Sequence, residues 1–183
     1  MRLVALLSLL LVSITLIAPE AAAQTTLYFP RLVSARGAAS GPDTSEFTGM
    51  AVVNLDSSRA SLRFTAYSTD GSLVAGPSIT NPATRDLDPG AQIALVDSQI
   101  FGTGFPDANP VGWVRVDSTA TRIVGFFLTF NTSLTILDGA DVSPATLRSF
   151  VLPEIEPEGF TQLHIANPNG ASATLTIELA GSD

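Results

Sequence analysis

The chain has 183 residues, a formal net charge of −8, and neither cysteine nor lysine. Without cysteine it can hold no disulfide framework and no lipid anchor attached through a cysteine. An acidic surface without lysine lacks the basic patch that nucleic acid or an anionic membrane requires.

The N-terminus sets the compartment. Met1-Arg2 precedes an apolar run from Leu3 to Ile17, then a break at Pro19 and small residues at Ala21 and Ala23. This pattern predicts a secretory signal peptide over 1–23, cleaved before Gln24. The run is shorter than the ~20 apolar residues of a membrane span. The expected location is secreted, extracellular or at the cell surface, with the periplasm as a further option, and no membrane insertion after cleavage. The remainder is rich enough in Val, Ile, Leu and Phe to bury a core, which argues against disorder.

After the leader, the elements read as strands. "TLYFPRLV" (Thr26–Val33) is a first strand that Pro30 confines to an edge or a bulge. Met50–Val53 and Ala60–Tyr67 follow, with "NLDSSR" between them as a hairpin loop. "DGSLVAGPSIT" suggests a turn and a strand, "NPATRDLDPG" a loop, and "AQIALV" another strand. "DSQIFG" suggests one helical turn capped by Asp97. "VGWVRVDS" and "RIVGFFLTFN" are the strongest later strands. Short strands separated by turn signals predict an all-β fold, an antiparallel two-sheet β-sandwich of Ig-like type over 27–147. Leu62, Phe64, Val114, Val116, Phe126 and Leu128 are its expected core.

A shift of 113 residues lays Phe47-Thr48 on Phe160-Thr161, Asn54 on Asn167, Leu62 on Leu175 and Asp70 on Asp183 without a gap. Leu175, Ile177 and Leu179 alternate with polar residues as Leu62, Phe64 and Ala66 do, the period of a strand with one buried face. Self-similarity at a fixed period signals tandem modules. Residues 148–183 are therefore expected to begin a second, truncated module, an incomplete copy in which Leu163–Ala166 pairs with Ser172–Leu179. "FVLPEIEP" echoes "LYFPRLVS" at its start.

"FTGMAVVNLDSSRASLRFTAYSTDGSLV", "VGWVRVDSTATRIVGFFLTFN", "LDGADVSPAT" and "FTQLHIANPNGASATLTIEL" resemble uncharacterised tandem β-sandwich (Ig-like) repeats of exported bacterial proteins. The resemblance covers most of the chain after the leader. It implies a place at the cell exterior and supplies no catalytic or binding residue.

Chemistry-bearing motifs are sparse. His164 is the only histidine and no cysteine accompanies it, so it would have to serve a triad or a zinc site alone; a half-exposed strand residue is the plainer reading. Asp86 and Asp88 in "DLDPG", and Asp138 and Asp141 in "LDGAD", lie in loops of the kind that can hold calcium through oxygen ligands. Ordinary turn chemistry accounts for them equally well. No catalytic residue, metal or cofactor is assigned. In "RIVGFFLTFN", Val124, Phe126, Leu128 and Phe130 share one face and Phe127 the other, while Trp113 opposes Val114 and Val116. Trp113 and Phe127 are the candidate ligand-binding residues, because an outer sheet face is usually polar. A strand covered by a loop is the alternative.

The composite expectation is a non-catalytic structural or adhesive module of a secreted or cell-surface protein, and not an enzyme. Its partners would be neighbouring repeat modules of the same chain, with a surface glycan or protein as a further contact. The alternative is a carbohydrate-binding module using exposed aromatics.

Overall fold

The computed structural model describes residues 25–37, 45–142, 144–151, 161–179 and 181. The expected signal peptide over 1–23, its expected cleavage site and most of "FVLPEIEP" lie outside the described residues. Eight strands follow in order: β1 (Thr25–Val33), β2 (Glu46–Asn54), β3 (Ala60–Ser68), β4 (Ala83–Leu87), β5 (Gln92–Val96), β6 (Val111–Ser118), β7 (Ile123–Asn131) and β8 (Leu137–Val142). A short helix, α1 (Asp97–Phe101), and a 3₁₀ turn (Pro106–Ala108) lie between β5 and β6. All the strands pair antiparallel, in two four-stranded sheets: β1-β6-β3-β4 (sheet A) and β5-β2-β7-β8 (sheet B). The protein is an all-β sandwich. Among the described residues no helix is long and apolar enough to cross a membrane.

The period-two pattern explains why the sheets stack. Leu27, Phe29, Leu62, Phe64, Ala66, Val114 and Val116 of sheet A point inward and are buried, opposite Met50, Val52 and Phe127 of sheet B. Burying one apolar side chain of this size contributes about 1.5–3 kcal/mol. Pro30 falls where the β1–β6 register shifts between Phe29 and Leu32, on an edge strand, so the missing N–H breaks no regular ladder.

Several sequence expectations are corrected. The β2–Asn54–β3 unit is not a hairpin. β2 pairs with β5 and β7 while β3 pairs with β4 and β6, so the chain arches from one sheet to the other. Alternation alone cannot distinguish the two, because both limbs bury one face either way. Asn54 makes the arch: its side-chain amide donates to the carbonyls of Ser58 (2.8 Å), Leu87 (3.1 Å) and Asp88 (3.3 Å), and its Oδ1 accepts from the Asp56 N–H (3.0 Å). Between Leu163–Ala166 and Ser172–Leu179 no ladder forms among the described residues.

The segment "GSLVAGPSIT" holds no strand, only an isolated bridge between Leu73 and Tyr67. Asn81 stands in for one there: its side chain accepts from Ala66 N–H and donates to the carbonyls of Ala66 and Val74. The predicted loop "NPATRDLDPG" contains β4, and "LDGADV" is β8. Asp97 does not cap α1; Val96 occupies that position. Asp97 is instead fully buried, accepting from the N–H groups of Thr48 and Ser98. The Thr48 hydroxyl in turn donates to the Val33 carbonyl (2.8 Å) and accepts from its N–H (2.9 Å), which joins sheet B to the end of β1.

Candidate functional site

The outer faces of the two sheets differ in character. On sheet B the outward residues come in rows set by register: Phe47, Phe130 and Leu137; then Gly49, Leu128 and Gly139; then Ala51, Phe126 and Asp141; then Val53 and Val124 beside Gln92. This face is apolar, where an outward face is ordinarily polar. Phe126 is 41% exposed, Val124 46% and Leu137 64%. The small residues Ala51 and Gly125 beside Phe126 leave a shallow groove of about 540 Å³ whose lining includes Val53, Val124, Phe126 and Asp141.

β7 is therefore turned over relative to the sequence expectation. Phe127, a candidate ligand contact, is 6% exposed and lies in the core, while Phe126, an expected core residue, faces out, and Leu128 is only half-buried. The reason sits one residue away. Gly125 faces inward, and a Cβ there would come within 3.0–3.1 Å of Leu27 and Phe29. The opposing sheet already fills that space, so only the glycine-bearing face of β7 fits inside. Thr129 and Asn131 follow it inward; Asn131 Oδ1 accepts from the N–H groups of Thr135 and Ile136 at the next turn.

On sheet A, Trp113 is half-buried on the outer face, stacked on Tyr67 (centroids 4.4 Å apart, 15° between planes) with Tyr28 tilted beside it at 6.4 Å. Of these three rings only Trp113 stands out in the sequence; the alternation of Tyr28 with Leu27 and Phe29, and of Tyr67 with Ala66, is the sign of its neighbours. Arg115 and Asp117 continue the β6 face, bridged at 2.8 Å, and Thr26 donates to the same Asp117 oxygen. Partial burial works against the Arg115 charge, but the hydrogen bond and charge of Asp117, with Tyr28 and Tyr67 nearby, hold its pKa above the ordinary value. Arg63 lies across from Asp117 on β3 and is exposed.

Three of the four acids expected in loops pair with arginines. Asp86 and Asp88 both face Arg59 (3.2 and 3.6 Å), and Asp138 pairs with Arg31 (2.9 Å). Among the described residues no group of three His, Asp or Glu side chains gathers as a metal would need. His164 lies exposed beside Gln162 (3.4 Å). Its pKa is lowered by partial burial and by the Arg31 charge, and Asp138 works in the opposite direction.

No family model matches the chain, and no curated protein matches it. The crystal structure of Thermotoga maritima 1070 is similar over 66% of this chain and 94% of its own, at 13% identity and a TM-score of 0.44. A likeness of that size carries no argument about function.

Proposed function

We propose that the chain is a non-catalytic structural or adhesive β-sandwich module of a secreted or cell-surface protein, and that it makes contact through the outer face of sheet B. The observation that carries this reading is the apolar groove around Phe126 and Val124, on a face that water would otherwise meet. Its partner is a neighbouring module of the same kind. Glutamate at position 126 keeps the fold, since the side chain already points out, but places a charge in the contact. Beads coated with the protein should adhere to a surface carrying the same protein, and Phe126→Glu should weaken adhesion about tenfold, the equivalent of ~1.4 kcal/mol. Adhesion unchanged by Phe126→Glu and Val124→Glu would sink the proposal.

Export belongs to the same reading, on the strength of the leader sequence. Protein recovered from outside the cytoplasm should begin at Gln24; N-terminal sequencing that finds Met1 there would contradict it.

The second reading, a carbohydrate-binding module, is favoured by the Tyr28–Trp113–Tyr67 cluster on sheet A and the guanidinium of Arg115 next to it. Sugars stack on such aromatic rings and take hydrogen bonds from neighbouring charged groups. Trp113 is the sole tryptophan, so its fluorescence reports any ligand directly. Saturable changes across a panel of oligosaccharides, abolished in Tyr67→Ala, would move this reading ahead of the first.

A further inference from the structure

The residues that build the first arch recur at the C-terminal end of the chain, and so does the geometry of its turn. Asn167 donates from its side-chain amide to the Ala171 carbonyl at 2.8 Å and accepts from the Asn169 N–H at 3.1 Å. Asn54 makes the same two bonds, to Ser58 and from Asp56, at 2.8 and 3.0 Å. The 113-residue shift that aligns the sequences also aligns these bonds donor for donor. The other residue that crosses the first core, Thr48, recurs as Thr161.

One property is inverted between the copies. Leu62, Phe64 and Ala66 are each 0% exposed, while their counterparts Leu175, Ile177 and Leu179 are 54%, 70% and 81% exposed. On the other limb Met50 and Val52 are buried, and Leu163 and Ile165 are 39% and 47% exposed. Side chains of this kind, arrayed at period two on both sides of the Asn167 turn, form an exposed apolar surface of the sort that marks a contact.

We propose that residues 161–179 are a second sandwich-crossing arch, and that the surface it presents takes β-strands of the β4–β8 type from a module of this same repeat. The interior of the first sandwich states the chemistry of that partner. There β2 runs between β5 and β7 and β3 between β4 and β6, so each limb has strands on both edges and the opposite sheet on its inner face. A hairpin would satisfy one limb with the other; an arch cannot, because its limbs lie in different sheets. This accounts for the missing ladder between Leu163–Ala166 and Ser172–Leu179. The proposal rests on the repeat-module reading above. The two fail separately, since adhesion is read at Phe126 and the arch at 163–179.

The test supplies the partner in register. Asp183 corresponds to Asp70, so residues 71–142 fused after Asp183 continue the second copy as the first continues. In the 183-residue protein the amides of 172–179 should exchange quickly. In the extended chain they should slow about a hundredfold, approaching those of 60–66. Ile177→Glu should remove that gain and leave 60–66 protected. Amides of 163–179 already as slow as 60–66 in the 183-residue protein would overturn the proposal, since the first sandwich would then be covering them. So would protection that appears only as protein concentration rises, since the partner would then be a second copy of the arch. A further chain, with residues 47–70 replaced by 160–183, covers the case in which the extended chain does not fold. Cooperative unfolding of this exchanged chain supports the arch; loss of folding in both chains overturns it.

Discussion

Replacing Asn54 with alanine is expected to lower the free energy of unfolding by about 3 kcal/mol. Asn54 is fully buried, and its side chain serves four backbone groups: three carbonyls, of Ser58, Leu87 and Asp88, and the Asp56 N–H. Removing one buried partner costs the desolvation of the group left behind, about 1–3 kcal/mol, and not merely the ~1 kcal/mol net value of a made bond. Two of the carbonyls belong to the β4–β5 turn, so the loss reaches beyond the arch itself. Asn167→Ala removes the same local bonds at an exposed site, where water replaces them, and should change stability by less than about 0.5 kcal/mol. Chemical denaturation of the two variants decides the matter. Equal effects would mean that Asn54 acts only through its local turn.

The second large effect is a pH dependence carried by Asp97. Burial raises its pKa from 3.8 to about 6, against the pull of the Thr48 and Ser98 N–H groups, which favour the carboxylate. The folded state therefore binds the proton more tightly than the unfolded chain does. The stabilisation is fully present below about pH 4 and is lost as pH rises through about 6, with an upper value of about 3 kcal/mol from 1.36 kcal/mol per pKa unit. Asp70 acts in the opposite sense at lower pH. Bonds from Ser68 and Ser72 lower its pKa to about 2, so its contribution is present above about pH 4 and is lost as pH falls through about 2. Asp97→Asn separates the two, since an amide oxygen still accepts from Thr48 and does not titrate. Between pH 4 and pH 7.5 the variant should gain up to about 3 kcal/mol relative to the parent protein. A difference that stays constant over this range would show that Asp97 keeps its charge at pH 4.

Much of the candidate site was hidden by the same regularity that made the strands visible. Period two in "RIVGFFLTFN" announced β7 but carried no sign of which face turns inward, since Val124, Phe126, Leu128 and Phe130 are the more apolar set. The deciding residue was Gly125, and its meaning depended on Leu27 and Phe29 of a strand almost a hundred residues earlier. Trp113 was legible because an aromatic among polar outward positions stands out; its stacking on Tyr67 required the β3–β6 register. β8 went unseen because "LDGADV" carries Asp and Gly, the marks of a turn, in an edge strand exposed over most of its length.

By itself the sequence determined what depends on near neighbours along the chain: strand period, the edge role of Pro30, the helical turn at Asp97 and the Asn-centred turns. These follow from side-chain alternation and from a side chain bonding its own backbone, both complete within a few residues. Tertiary structure decided which strands share a sheet, that β2 and β3 part company at Asn54, which face of β7 is inside, and that Asp97 is buried. Each of those depends on volume and hydrogen-bond partners supplied from far along the chain, because packing density in a core leaves room for only one of the local alternatives.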